Sequence, residues 1–456
     1  METKETPMTV PTSQARRQPR RVAAATFVGT AVEFYDFYIY GNAAALIFGK
    51  LFFPDLDTAT ATILSFATLA TGWIGRPLGG LVAGHFGDRV GRKGMLVLSL
   101  VLMGISTTAV GFLPTAAMIG AAAPILLVLC RILQGLAAGA EYGGAVVMAL
   151  EHSDTNHRAR NASIPNAGVM FGLVLGTAVF YPITLLPQDQ LMTWGWRIPF
   201  LISFIPVLIG LAIRMRVTES PEYLRVADAG KPQRPPVIDV LRSHWRQVLV
   251  VVGAHMAPNI WGYTMTVLIL SYATTYAGYS RSSLLLAVTI GAVVETLTIP
   301  WFGSLADRYG QRPVYIAGLV GMAVWAFPFF LIVREGSVLL LTLGLVVALG
   351  VVHASVYGAQ ASYFAELFPT SVRYTGLSLG YQTAGALFGA TLPALGLLMI
   401  AWNHEQPWYL TLYLVVAAAV SATVLVLART VQRYSESTES VLNERRSDGL
   451  PMASQT

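Results

Sequence analysis

Twelve long apolar stretches constrain the fold of this chain more than any other feature of its sequence. A helix needs about 20 consecutive apolar residues to cross the hydrocarbon core of a bilayer. Stretches of about that length recur along the 456 residues, at roughly 22–48, 58–83, 94–113, 124–150, 162–186, 198–214, 247–277, 283–303, 314–333, 338–362, 372–400 and 408–430. Because lipid offers the backbone no hydrogen bonds, stretches this long are helices. We therefore predict an all-α membrane protein with twelve transmembrane helices.

Composition and motif content exclude several classes of protein. Hydrophobic residues make up 54% of the chain and charged residues 12%, which is about half the charged fraction of a soluble domain. The single cysteine, Cys130, excludes an intrachain disulfide and lies inside the fourth stretch, where we expect it to pack. The sequence shows no metal-ligand cluster, phosphate-binding loop or nucleophile triad. We therefore expect no enzyme activity, no cofactor and no metal.

Positive charge is distributed unevenly between the loops. Of the 30 Lys and Arg residues, 24 fall in the two tails and every second loop, whereas the opposite loops hold Lys50, Arg197, Arg281 and Arg334. Loops rich in Lys and Arg stay on the cytoplasmic side of a membrane. Both termini are therefore predicted to be cytoplasmic. The net charge of +6 reflects this sidedness and not nucleic-acid binding.

Two segments carry the same motif. "GHFGDRVGRK" (Gly84–Lys93) follows the second apolar stretch, and "GSLADRYGQR" (Gly303–Arg312) follows the eighth. Asp307 comes 219 residues after Asp88. A fixed offset between matching motifs indicates an internal duplication.

A second pair of segments supports the same duplication. Glu151 and Arg158 lie between the fourth and fifth stretches, and Glu366 and Arg373 occupy the corresponding place 215 residues later. Parallel six-helix halves are an architecture of secondary transporters. The predicted organisation is a disordered cytoplasmic tail at 1–21, a six-helix bundle at 22–214, a cytoplasmic linker at 215–246, a second six-helix bundle at 247–430 and a cytoplasmic tail at 431–456.

Several further motifs narrow the family. They are "VEFYDFYIYG" in the first stretch, "RPLGG" at Arg76–Gly80, "RILQGLAAGAEYGGA" in the fourth stretch, "WGWRIPF" before the sixth, "ESPEYLR" after it, and "AELFPTSVRYTG" at Ala365–Gly376. Together with the duplicated segment they resemble the major facilitator superfamily, and within it the metabolite:proton symporter branch. That branch includes shikimate, α-ketoglutarate, citrate and proline/betaine permeases. The resemblance implies the major facilitator fold, with a cavity lined by helices 1, 4, 7 and 10.

The repeated segments are candidates for a cytoplasmic gate. The resemblance implies that Asp88 and Asp307 bond to the opposite bundle while the outside is open, and Arg158 and Arg373 are cations on the same side. The candidate gating residues are Asp88, Arg89, Arg92, Glu151, Arg158, Asp307, Arg308, Glu366 and Arg373. The alternative is that these segments are tight turns that set topology and nothing more.

The first apolar stretch contains two acids, although an ionised acid at the bilayer centre costs about 3 kcal/mol. Glu33 and Asp36 are three residues apart, which places them on one helix face. At 1.5 Å per residue, Asp36 lies roughly 21 Å from the cytoplasmic end of its helix and Arg131 roughly 10 Å from the outer end of the fourth, so they share a depth. We predict a proton-coupling site of Glu33, Asp36 and Arg131, in which one guanidinium serves two acids. Either acid can carry the proton, and the matching depth of Arg131 favours Asp36 over Glu33. A static ion pair is the alternative.

Polar residues of other predicted helices are candidates for contact with a substrate. These are Glu295, His255, Asn259, Tyr263, His353, Tyr357, Gln360 and Gln382. Each has the alternative of being a packing residue bonded to a neighbour. Glu141 and Arg76 fall in the cytoplasmic third of their helices, so we expect a structural ion pair between them.

The leading hypothesis for function is a proton-coupled symporter that imports a small polar metabolite, an organic acid such as shikimate, by alternating access between two bundles. The expected partners are that molecule, a proton and the lipid of a bacterial plasma membrane, with no nucleic acid and with the chain as a monomer. The alternatives are a proton-coupled exporter or antiporter, a dicarboxylate (α-ketoglutarate) permease and a zwitterion (proline/betaine) permease. An enzyme is disfavoured because no catalytic set is visible, and a receptor because the tails are short.

The charge distribution makes a direct prediction about topology. Alkaline phosphatase is active outside the cytoplasm, so a fusion after Lys50 should be active and a fusion after Leu241 inactive. The measurement is phosphatase activity in whole cells at matched expression. Equal activity at the two positions would contradict the twelve-helix topology.

Overall fold

The computed structural model describes residues 18–228 and 235–428, and within these ranges it contains helices and no strands. The first six spans are α1 (Gln18–Ala43, a π-helical turn at Ala44–Phe48, and Gly49–Phe52), α2 (Thr58–Val90), α3 (Arg92–Phe112), α4 (Ala122–Glu151), α5 (Ile164–Thr184) and α6 (Arg197–Ile202 and Phe204–Met215). Short helices at Ala116–Ile119, Thr155–His157, Arg158–Ala162, Gln188–Gln190 and Leu191–Gly195 lie between them.

The second six spans follow a linker that contains the helices Pro221–Asp228 and Pro236–Ser243. They are α7 (Trp245–Tyr263, a π-helical turn at Thr264–Leu268, and Ile269–Tyr276), α8 (Arg281–Tyr309), α9 (Gln311–Arg334), α10 (Val338–Val347, a π-helical turn at Ala348–His353, and Ala354–Ala365), α11 (Arg373–Ala384, a π-helical turn at Gly385–Gly389, and Leu392–Trp402) and α12 (Trp408–Leu427). Local π-helical turns are frequent at functional sites. Of the predicted tails at 1–21 and 431–456, residues 18–21 instead form the start of α1. The rest of both tails and the Lys231-Pro232 part of the linker lie outside the described residues.

Nine spans within the described ranges are long and apolar enough to cross a membrane by themselves. The other three, α1, α2 and α7, carry polar side chains that face the interior of the protein. Asp36, Arg76 and His255 are 3%, 5% and 0% exposed. The three least apolar spans thus bring charge and hydrogen-bonding groups into the protein and not into lipid.

The repeated motif has a different structure from the one expected. α2 continues to Val90, seven residues past its predicted end, and a single residue, Gly91, separates it from α3. Gly91 has φ = 125° and its counterpart Gly310, between α8 and α9, has φ = 94°. A residue with a side chain is strained at such φ values. Glycine occupies the same position in both copies of the motif because each copy makes a sharp turn from one helix to the next.

The two bundles pack together through α2 against α11 and α5 against α8. Asn166 of α5 donates to the backbone oxygen of Tyr357 at 2.7 Å, and Gln382 of α11 donates to that of Ala138 at 3.3 Å. We call the side of the molecule that bears the Gly91 and Gly310 turns the loop face. Toward the other side, a cleft of about 250 Å³ lies between the ends of α1, α5 and α8.

Candidate functional site

A small cavity lies between the bundles near the centre of the protein. Its volume is about 30 Å³, which is room for a water molecule or two. Aromatic rings form much of its wall, namely Phe34, Tyr38, Trp73, Tyr263, Tyr357 and Tyr381, and its polar side chains include Asn259, Thr266, Gln382 and Arg76. Among the described residues, Arg76 is the one charged side chain of this wall. The cavity therefore combines aromatic surfaces, hydrogen-bonding groups and a single positive charge.

Asp36 connects α1 with α3 and α4. Its carboxylate accepts hydrogen bonds from Thr107 of α3 at 2.7 Å and from Gln134 and Arg131 of α4 at 2.8 and 3.2 Å. The guanidinium of Arg131 also lies over the ring of Tyr40, 4.2 Å from its centroid. The shared depth expected from the sequence corresponds to a direct contact, and Thr107 and Gln134 are partners that the sequence pattern did not indicate.

Glu33 has a guanidinium of its own. Its Oε1 lies 3.1 Å from Nη1 of Arg76, whose guanidinium also lies 4.4 Å from the centroid of the Trp73 ring. The expectation of one guanidinium for two acids is therefore wrong, because each acid of α1 has its own arginine. Arg76 lines both the central cavity and a neighbouring pocket of about 10 Å³ that contains Glu33 and Asp36. With Trp73, which also lines both, Arg76 links the buried acids to the cavity.

Glu141 has a different partner from the predicted one. It accepts hydrogen bonds from Arg214 of α6 at 2.9 Å and Ser99 of α3 at 2.8 Å. The prediction of a Glu141–Arg76 pair is wrong because a common depth does not determine which neighbour a side chain faces, and Arg76 faces α1. The observed pair ties α4 to α6 within the first bundle.

The eight predicted substrate-contact residues fall into two groups. Asn259, Tyr263, Tyr357 and Gln382 line the central cavity. Glu295, His353, His255 and Gln360 are not in its wall, and all four are 0% exposed inside the second bundle. His353 lies 2.6 Å from Glu295, and His255 lies 3.2 Å from Gln360. The first group faces the cavity, and the second is separated from it.

The helices that line the cavity differ in part from those the resemblance implies. Residues of α1, α7 and α10 line it as expected. α4 lines the smaller acid pocket instead, and α2, α5 and α11 complete the wall of the cavity. The aromatic side chains Trp73 and Tyr381 and the cation Arg76 therefore belong to the candidate site although no sequence pattern singled them out for it.

At the loop face, Asp88 bonds to the start of α11 in the opposite bundle. Its carboxylate accepts hydrogen bonds from the backbone N–H groups of Tyr374 at 3.3 Å and Thr375 at 2.9 Å, and from the Thr375 hydroxyl at 2.8 Å. A carboxylate at a helix N-terminus is stabilised because the first N–H groups there have no partner within the helix. Asp88 therefore joins the bundles by capping a helix.

Asp307 makes the symmetry-related contact in the second copy of the motif. It accepts hydrogen bonds from the backbone N–H groups of Ala159 at 2.7 Å and Arg160 at 3.0 Å, at the short helix that precedes α5. The donors to both aspartates include backbone amides and not the guanidinium groups of Arg158 and Arg373, which the sequence suggested as partners. These arginines have acidic partners instead.

The two arginines of the second pair of segments, Arg158 and Arg373, contact acids across the same interface. Arg373 of α11 donates to Glu151 of α4 at 2.9 Å, and Arg158 lies 3.8 Å from Glu366. Arg92 lies 3.4 Å from Glu151 within the first bundle. All five side chains are buried. With the two aspartates, they form a polar network that closes the loop face.

The linker contributes an acid to this network that the sequence pattern did not indicate. Glu222, in the helix Pro221–Asp228, accepts hydrogen bonds from Arg158 at 3.1 Å and Arg373 at 2.5 Å, and so bridges the bundles. Burial raises the pKa of Glu222, but Arg373 and Arg158 outweigh burial and lower that pKa from 4.5 to about 2. Its stabilisation of the closed face is therefore complete above pH 4.5 and is lost as the pH falls toward 2. The only sequence feature that could have drawn attention to Glu222 was the motif "ESPEYLR".

Two of the predicted gating residues lie outside the network. Arg89 and Arg308 are exposed, and within the described ranges neither guanidinium bonds to the opposite bundle. The backbone oxygen of Arg89 accepts a hydrogen bond from Tyr223 of the linker at 3.0 Å. The remaining seven candidates all take part in the contacts described above.

Known proteins are similar to this chain along most of its length. The family described as "Sugar (and other) transporter" matches residues 22–234, and the family described as "Major Facilitator Superfamily" matches residues 250–453. The shikimate transporter of Escherichia coli K12 is 37% identical over 420 residues, which are 91% of this chain and 95% of that protein. This chain belongs to the major facilitator superfamily. A proline/betaine transporter of Salmonella typhimurium LT2 is 33% identical over 416 residues, 88% of this chain and 81% of that protein.

The major facilitator fold is also evident from a solved structure. A major facilitator proton:xylose symporter bound to 6-bromo-6-deoxy-D-glucose superposes with a TM-score of 0.73 at 18% identity, covering 94% of this chain and 99% of that chain. The predicted fold class, twelve helices in two six-helix bundles, is confirmed. The protein is a multi-pass transporter of the plasma membrane and not an enzyme. The side of the membrane on which its termini lie stays a prediction.

The network at the loop face predicts how this transporter responds to loss of Glu222. Glu222→Gln removes a charged hydrogen-bond acceptor that the closed face uses, a loss of about 1.5–3 kcal/mol. We therefore expect the loop face to open at least about tenfold more often. The readout is the maleimide labelling rate of Ser378→Cys in a Cys130→Ser background, because Ser378 is 0% exposed on α11.

The matched control is Asp228→Asn, at the exposed end of the same linker helix. It should leave the labelling rate unchanged. Equal rates in the Glu222→Gln and Asp228→Asn proteins would show that the linker is not part of the gate.

Proposed function

We propose that this transporter imports a small organic acid together with protons, and that shikimate or a related hydroxylated carboxylate is its substrate. The observation that carries the proposal is Arg76, the one charged side chain in the wall of the central cavity among the described residues. A guanidinium binds a carboxylate through two parallel hydrogen bonds. A carboxylate in the cavity would therefore bind Arg76 in competition with Glu33.

The rest of the cavity suits a hydroxylated ring. Asn259, Gln382 and Thr266 supply hydrogen-bonding groups, and the aromatic rings of Trp73 and Tyr263 supply flat apolar surfaces. Ligand sites commonly combine apolar walls with a small number of polar groups that fix orientation. The 37% identity to the shikimate transporter of E. coli supports the same substrate class. The cavity of about 30 Å³ has to expand to admit such a molecule, as alternating access requires.

Asp36 is the acid whose charge is best placed to couple a proton to movement. A proton can shift a conformational equilibrium if its site has different contacts in the two conformations. Neutralising Asp36 weakens contacts to Thr107, Gln134 and Arg131 on two helices, whereas Glu33 has Arg76 as its ion-pair partner. We assign proton coupling to Asp36 with Arg131, and assign to Glu33 the role of the counter-ion that the substrate replaces.

The polar network at the loop face supplies the second half of the cycle. Its contacts close one side of the cavity, while a cleft separates the bundles toward the other side. Under the predicted topology the loop face is cytoplasmic, so the described conformation is closed inward. Substrate binding and protonation at the centre would favour separation of Asp88 and Asp307 from the opposite bundle and release to the cytoplasm.

A zwitterion permease is the second candidate function. Aromatic rings bind quaternary ammonium groups through cation–π contacts, and six aromatic side chains line the cavity. The 33% identity to a proline/betaine transporter agrees with this candidate. Competition by proline and betaine for the uptake of labelled shikimate distinguishes the two substrate classes.

Uptake of labelled shikimate into proteoliposomes tests the proposal. Wild-type protein should accumulate shikimate when the outside is more acidic, by up to about tenfold per pH unit if one proton moves with each anion, since one pH unit corresponds to about 1.4 kcal/mol. Asp36→Asn should abolish this accumulation and leave exchange of internal for external shikimate measurable, because exchange does not require proton release. Arg131→Gln in the same protein should partly relieve the unpaired guanidinium, whose cost is about 3–5 kcal/mol.

Glu33→Gln is the matched control on the same helix face. It should retain gradient-driven accumulation and lower KM severalfold, because Arg76 is then free to bind the substrate. Asp36→Asn protein that still accumulates shikimate in response to the pH gradient would remove Asp36 as the coupling site. Absence of shikimate uptake and of competition by shikimate would remove this substrate class.

A further inference from the structure

The second bundle contains a buried acid–base pair that the proposed coupling site does not use. Glu295 of α8 and His353 of α10 are both 0% exposed, and His353 Nδ1 lies 2.6 Å from Glu295 Oε1. The acids of α1 are paired with arginines, which stay charged at all physiological pH values. Glu295 is paired with a residue that can itself gain or lose a proton.

Hydrogen-bond geometry determines how many protons the pair holds. The other ring nitrogen of His353, Nε2, lies 3.1 Å from the backbone oxygen of Pro258 on α7. A carbonyl oxygen only accepts, so Nε2 carries a hydrogen. The 2.6 Å contact between Nδ1 and Oε1 requires a second hydrogen, carried by either atom. The pair is therefore electrically neutral overall, whether as neutral acid with neutral imidazole or as carboxylate with imidazolium.

Loss of one proton breaks one of these two contacts. Without the shared hydrogen, lone pairs of His353 Nδ1 and Glu295 Oε1 face each other at a hydrogen-bond distance. If the remaining hydrogen moves to Nδ1 instead, the lone pair of Nε2 faces the oxygen of Pro258. Either arrangement is repulsive, so deprotonation of the pair favours separation of α10 from α8 or from α7.

The affected part of α7 lies directly beside the central cavity. Gly262, one turn after Pro258, lines the cavity, and a Cβ there would lie 3.2 Å from Cε1 of His353. The ring of Tyr357, which also lines the cavity, is 4.1 Å from the ring of His353 between centroids. A backbone segment and one aromatic ring thus separate the pair from the place where a substrate binds.

We propose that Glu295 and His353 form a second proton-binding site, which exchanges one proton and links its loss to movement of α7 against α10. Glu295 Oε2 is buried and has no hydrogen-bond partner among the described residues, which disfavours a permanently ionised carboxylate. Titratable side chains near the pair include Tyr38 of α1, Tyr357 of α10 and His255 of α7. None of these three is a carboxylic acid or a permanent cation, so none of them places a fixed charge beside the pair.

A consequence for transport, which rests on the proposed function, is the charge moved per cycle. One proton with one monocarboxylate is electrically neutral, and a second proton makes the cycle carry one net positive charge. Wild-type uptake of shikimate should therefore respond to a membrane potential as well as to a pH gradient. Uptake by Glu295→Gln should respond to the pH gradient and lose its response to a potassium-diffusion potential set with valinomycin.

A proton count on purified protein tests the site without any substrate. Protein in detergent is titrated potentiometrically between about pH 5 and 8, where an unperturbed imidazole changes its charge. Glu295→Gln and His353→Gln should each bind one proton fewer than wild type over this range. The double variant should also bind one fewer and not two, because the pair shares one exchangeable proton.

Asp36→Asn separates this inference from the proposed function. The difference in proton count between wild type and Glu295→Gln should be the same when both proteins carry Asp36→Asn, whatever role Asp36 has in transport. Gel filtration and circular dichroism establish that each variant is folded, and Gln at 295 retains an N–H that can donate to His353. Equal proton counts in wild type, Glu295→Gln, His353→Gln and the double variant would overturn the shared site. A loss of two protons in the double variant would also overturn it.

Discussion

An ionised side chain inside a bilayer needs a partner of opposite charge, and the positions of these partners determine which helices of this transporter move together. Breaking a buried ion pair by removing one member costs about 3–5 kcal/mol. Asp36 with Arg131 joins α1 to α4, and Glu33 with Arg76 joins α1 to α2. Within the first bundle, these pairs make the helices a unit that can rotate without exposing an unpaired charge. The same pairs place the acids beside the cavity, where a substrate carboxylate can exchange with one of them.

Contacts between the bundles at the loop face are of another kind. Asp88 and Asp307 bind backbone N–H groups at helix starts, and Arg373 bonds to Glu151. When the bundles separate, water can replace each of these partners because the network lies at the end of the helices and not at their centre. The linker acid Glu222 is held by two arginines and keeps its charge well below neutral pH. Separation of the bundles at this face therefore does not by itself break an ion pair at the centre of the protein.

The sequence predicted what depends on position along a helix and missed what depends on rotation about its axis. The length of the apolar stretches, the repeated motif and the common depth of Asp36 and Arg131 all follow from residue positions along the chain. Glu141 and Arg76 also share a depth, yet Glu141 bonds to Arg214, because which neighbour a side chain faces is decided by how the bundle packs. The contacts of Glu222 could not be predicted either, because the linker has no periodic hydropathy pattern that would indicate which way its side chains face. The motif "ESPEYLR" signalled the family without indicating this contact.

Proton movement that accompanies substrate is the most direct measure of the central claim, that this protein is a symporter of an organic acid. Proteoliposomes that contain an entrapped pH indicator are given external shikimate with equal pH on the two sides and the membrane potential clamped at zero. Proton symport predicts that the interior becomes more acidic as shikimate enters, and that protein-free vesicles show no such change. An interior that becomes alkaline as shikimate enters, or that keeps its pH during measurable uptake, would contradict proton symport.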